Sequence, residues 1–116
     1  MTNFYSLLQK IKQRPPLYLG SYSITSLHSF LSGYILARLE LDVAQTEEEH
    51  QFDRFQDCVE NKFKIKGTHS WAKIILFYSM DEKDALDNFF KLFDEFLTDM
   101  KSRANPQPRL KEAVSA

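Results

Sequence analysis

The side chains best suited to nucleophilic, acid–base or metal chemistry are three histidines, His28, His50 and His69, and one cysteine, Cys58. Metal sites draw ligands from close pairs such as C-x-x-C or H-x-x-x-H, because ligands one turn or one tight loop apart can reach the same ion. Here the histidines are far apart in the chain and the cysteine stands alone, so no metal site is expected. A cysteine nucleophile needs a base beside it. Cys58 falls next to the apolar positions Phe55 and Val59, where a small hydrophobe is its ordinary role. No glycine-rich loop is present to wrap a phosphate. The residues therefore predict no catalytic group, no cofactor and no metal.

Six positions, two of those histidines among them, combine charge or ring chemistry with a place that could meet a partner or ligand: Arg14, Tyr18, His28, Arg38, His69 and Trp71. Each also has a structural task open to it. Arg14 can bond the carbonyls at a helix end, Tyr18 can seat a proline segment on the core, and His28 can be a satisfied boundary residue. Trp71 is most simply a core anchor. Arg38 falls within an apolar arc, where it can extend its head to water or pair with a carboxylate from an acidic helix.

Positioning these residues takes one domain. With 116 residues, 43% hydrophobic and 14% aromatic, the chain can bury a single core. Three glycines and four prolines are too few for a fold built from many tight turns and suit helices with short connections. The net charge is −1 but it is blocked. Residues 40–60 carry eight acids against Arg54, while 61–79 carry Lys62, Lys64, Lys66 and Lys73 and no acid. A pI near 6.3 with such acidic blocks argues against nucleic acid as a partner. Serines, Thr25, His28 and two prolines interrupt the uncharged run Pro15 to Ala37, which argues against a membrane span. A lone cysteine, with no cleavable leader recognisable after Met1, predicts a cytoplasmic location.

Helical spacing then lays out the chain. Phe4, Leu7, Leu8 and Ile11 mark a first helix, opened by Thr2 or Asn3 and stopped by Pro15 and Pro16; from Pro15 to Tyr22 an ordered loop is expected. A central helix over 24–41, capped by Ser23 or Thr25, carries Ile24, Leu27, Leu31, Tyr34 and Ile35 on one arc. Ser29, Gly33 and Ala37 form a small ridge opposite. Glycine inside a helix costs about 1 kcal/mol, so the ridge predicts a close helix crossing and cover on more than one side. Thr46 and Glu49 form a capping-box pattern for a third helix with Phe52, Phe55, Val59 and Phe63 inward, ended by Gly67. Trp71 to Tyr78 reads as a helix capped by Thr68 or Ser70, with a buried strand as the other reading. Ser79 and Glu82 suggest a capping box before the stripe Ala85, Leu86, Phe89, Phe90, Phe93, Phe96, Leu97 and Met100. The expectation is an all-α single domain of about five helices over 1–104, with a flexible C-terminal tail over 105–116.

Arg14 to Gly20 reads RPPLYLG, which looks like a short stretch near the start of the ATPase domains of type II topoisomerases. Those domains also need an Asn-bearing helix and an Asp-x-Gly-x-Gly loop, which this chain lacks, so no ATP-site residue is carried over. RPPLYLG followed by SFLSGY at Ser29–Tyr34, HSWAKIILFYS at His69–Ser79 and a Phe-rich acidic helix resembles a group of small uncharacterised bacterial proteins. The resemblance implies a shared fold of unknown activity; some proteins of this size and style act as immunity partners of toxins.

These readings converge on a non-enzymatic protein–protein interaction module, immunity-like or regulatory, with an unidentified protein partner steered by acidic surfaces and anchored by exposed aromatics. The alternative is a small enzyme or ligand-binding domain with a pocket where the Arg14–Gly20 segment meets the start of the central helix, using Arg14, Tyr18, His28 or His69. Excess apolar surface on the Phe-rich helix also leaves room for a homodimer.

Overall fold

Most of the helices begin where a short polar side chain can hold a free backbone N–H. A computed structural model describes residues 3–104, and the tail expected over 105–116 lies outside them. Six helices and no strand occur among the described residues: α1 Phe4–Gln13, α2 Pro15–Leu19, α3 Ile24–Glu40, α4 Glu47–Phe63, α5 Trp71–Phe77 and α6 Glu82–Ala104. The N-caps are Asn3 for α1, Ser23 for α3, Thr46 for α4 and Ser70 for α5. Thr46 and Glu49 close the expected capping box, and the ambiguous run after Ser70 is a helix.

Three boundary expectations are corrected. Pro15–Leu19 is a short helix rather than a loop, because proline at the first two positions has its φ pre-set and lacks an N–H that no helical carbonyl would have received. Gly20, at φ 80°, ends it in the left-handed conformation open to glycine. Lys64, at φ 56°, ends α4 in place of Gly67, with the Ile65 N–H donating to the Glu60 carbonyl. Asp81, not Ser79, opens α6, since its Oδ1 accepts from the Asp84 N–H. Glu82 is thereby free to reach across to α3, where it accepts from the Thr25 N–H at 3.0 Å, the Thr25 hydroxyl at 2.7 Å and the Ser23 hydroxyl at 2.8 Å.

The core gathers on α4, α5 and α6. Phe55 is fully buried, with the rings of Phe52, Trp71, Phe89, Phe93 and Phe96 at 5.3 to 6.0 Å. Phe4, Leu8 and Ile11 close one side from α1, and Ile24, Leu27 and Leu31 another from α3. The central helix differs from expectation: Ser29, Gly33, Leu36, Ala37 and Leu39 face solvent. A Cβ added at Gly33 would meet nothing within 4 Å, so among the described residues no helix crosses the small ridge. An uncharged helix suits burial on all sides, but here the Phe-rich α6 fills the centre instead.

Candidate functional site

Gln56 joins the segment 64–70 and the start of α5 to α4. Its Oε1 accepts from the Trp71 N–H at 2.7 Å, and its Nε2 donates to the His69 carbonyl at 2.9 Å and to Glu60 Oε2 at 2.8 Å. One amide thus satisfies backbone groups on both sides of Ser70, the α5 cap. The held segment lies beside α5 and leaves a groove of about 550 Å³ lined by Ile65, Lys66, His69, Lys73, Ile74 and Phe77.

The chemistry of this groove is one-sided. Phe77 and the half-buried Ile65 supply apolar surface above the buried Ile74, Lys66 and Lys73 supply positive charge, and no carboxylate is in the lining. Neither lysine ammonium has an ion-pair or hydrogen-bond partner among the described residues. Nearby Lys62, by contrast, reaches Glu95 at 4.0 Å. Phe77 is 77% exposed and Met80 90% exposed. Tyr78 joins Phe77 to the body of the protein, stacked on Phe63 at 4.6 Å and edge-on to Phe77 at 5.0 Å.

The six positions singled out in the sequence do not form one cluster. His69 lines the groove, and His28 and Trp71 lie beside it, their rings T-shaped at 5.2 Å. Burial and then the Lys73 charge hold His28 below its usual imidazole value. Trp71 is buried among Phe52, Phe55 and Phe89 and serves as a core anchor. Arg14 links α1 to α2 with its side chain exposed, and Tyr18 packs edge-on to Phe30 at 6.5 Å. Arg38 Nε donates to Glu49 Oε2 at 2.8 Å, so its charge is met inside the chain. Burial alone would raise the Glu49 carboxyl, but the Thr46 N–H and the Arg38 guanidinium outweigh it and hold the group below the usual carboxylate value.

A second groove, of about 430 Å³, lies beside the proline segment and is lined in part by Lys12, Pro15, Tyr22, Phe90, Lys91 and Asp94. The ligand-binding reading places its pocket in this region, but Arg14, Tyr18, His28 and His69 are not in the lining. Lys12 pairs with Asp94 at 3.2 Å across it, which meets charge with charge. Cys58 is half-buried, and burial followed by the Asp99 and Glu95 charges raises its thiol, the opposite of what a nucleophile needs. No group of three or more His, Cys, Asp or Glu placed to hold a metal occurs among the described residues, and none of their helices is long and apolar enough to cross a membrane.

Nothing in local sequence pattern marks Gln56, Lys66, Lys73 or Phe77 as site residues. Phe77 sits inside an apolar run that reads as core, and Lys66 lies in a basic run that reads as a helix end. Compared with known protein families, curated proteins and solved structures, the chain matches none.

Proposed function

We propose that this chain is a non-enzymatic protein-binding module, immunity-like or regulatory in its work, that meets its partner through the α5 groove and the aromatic residues at its rim. The observation that carries this is the exposure of Phe77, with Tyr78 and Met80 beside it, next to a groove already lined with apolar side chains. Large exposed apolar clusters with a polar rim mark interaction surfaces, and aromatic anchors at their centre carry most of the binding energy. The charged side chains that line the groove are basic, while at Met80 the backbone N–H donates to Asp84 Oδ2 of α6 at 2.9 Å, so an acid stands beside that end of the apolar cluster.

The test is affinity capture of a partner from the cells the protein comes from, with the full wild-type chain and with Phe77→Ala in parallel. A defined partner held by wild type and lost in Phe77→Ala supports the reading. A chain that captures nothing specific, or whose partner is indifferent to Phe77, opposes it.

A further inference from the structure

We infer that the α5 groove recognises an acidic segment of the partner protein, in which a bulky apolar side chain is flanked by carboxylates. The inference rests on the protein-binding reading and adds the chemistry of what is bound.

Two features of the groove select this occupant together. The exposed ring of Phe77 and the half-buried Ile65, over a floor closed by the buried Ile74, take a hydrophobic side chain, which gains by leaving water. Lys66 and Lys73 stand at the same groove with no ion-pair partner among the described residues. A carboxylate brought to them gains attraction without breaking an existing ion pair, whereas a cationic segment would meet uncompensated repulsion. Complementary charge at a rim also raises the rate of encounter and makes it depend on salt.

A single-stranded nucleic acid also favours aromatic rings and lysines, but it needs a basic track along its backbone and exposed rings on which successive bases stack. Here two lysines border one groove and its other apolar residues are aliphatic. Beyond it, Glu60 accepts from Gln56 and Glu95 faces Lys62, so carboxylates interrupt any longer basic track. The local charge therefore favours a short acidic segment over a continuous phosphate chain.

Selection of a random peptide library on the full chain tests this even while the partner is unidentified. Enriched peptides are expected to place Asp or Glu beside a bulky aliphatic or aromatic residue. A synthetic copy of the strongest should bind wild type and lose at least about tenfold in affinity to Phe77→Ala and to the double variant Lys66→Glu with Lys73→Glu, with weaker binding in high salt. All three positions are exposed, and circular dichroism verifies that the variants fold. Enriched peptides without acidic residues, no enrichment at all, or binding unchanged in both variants overturns the inference. Binding of labelled oligothymidine through Lys66 and Lys73 in preference to the peptide overturns it as well. If the library yields no acidic sequence while a cellular partner is still captured through Phe77, the groove chemistry fails and the protein-binding reading survives; if neither occurs, both fail.

Discussion

Glu49 joins two helices through one carboxylate: its Oε2 accepts from Arg38 Nε of α3 at 2.8 Å, and its Oε1 accepts from the Thr46 N–H at the start of α4 at 2.7 Å. The residue is only 4% exposed, so the capping box and the ion pair satisfy a charge that burial alone would disfavour. Removing the carboxylate in Glu49→Ala leaves the Thr46 N–H and the Arg38 head without it. The variant is expected to lose about 1–2 kcal/mol, measured as a shift in the urea midpoint, in line with the loss of a helix cap. Unchanged stability would mean that water replaces both contacts at no cost.

Acid should unfold the protein through the same kind of group. Glu49 and Glu82 are both held below the ordinary carboxylate value of 4.5, because hydrogen bonds to their charged forms outweigh burial. A carboxyl lowered in the folded state binds fewer protons there than when unfolded. Its contribution is therefore fully present above about pH 4.5 and lost as the pH falls through the folded value. His28, held below 6.5 by burial and Lys73, adds a loss of the same sign that begins below pH 6.5. Urea midpoints measured from neutral pH into acid should fall in these two windows, and Glu49→Gln with Glu82→Gln should flatten the lower one. An equally steep acid limb in that double variant would contradict the assignment.

Gly33 lies in the interior of α3 with open space where a Cβ would sit. Gly33→Ala is expected to stabilise by about 0.5–1 kcal/mol, because alanine has the better helix propensity and gives the unfolded chain less freedom. Chemical melts decide the sign. Destabilisation would show that something covers this face in solution.

The two ends of the aromatic system should respond differently to truncation. Phe55→Ala empties the centre of the core and should cost about 3–5 kcal/mol. Phe77→Ala removes a ring that is mostly in solvent and should change stability by no more than about 0.5 kcal/mol. Equal losses would mean that Phe77 packs against structure in solution.

Much of this fold is legible in the sequence because local rules and burial agree along most of it. The stripe on α6, the Thr46–Glu49 box and the inward positions Phe52, Phe55 and Val59 follow from helical spacing and capping alone. Misreadings arise where a local feature has two physical uses. The paired prolines can end one helix and also start another, and they do both at Arg14. Small uncharged residues permit a close crossing but do not require one, so Ser29, Gly33 and Ala37 carry no sign that their face is open. Glu82 looks like a local cap, whereas its partners lie at Ser23 and Thr25, at a separation no capping rule spans. The groove is the least legible feature. It depends on Gln56 bonding both His69 and Trp71, a contact between α4 and the start of α5 that no local spacing rule spans.

The most direct test compares partner affinity and stability in wild type and Phe77→Ala. Binding of the captured partner should weaken by at least about tenfold, while the urea midpoint stays within about 0.5 kcal/mol of wild type, the signature of an interaction anchor rather than a core residue. Equal affinity of both proteins for that partner would contradict the account.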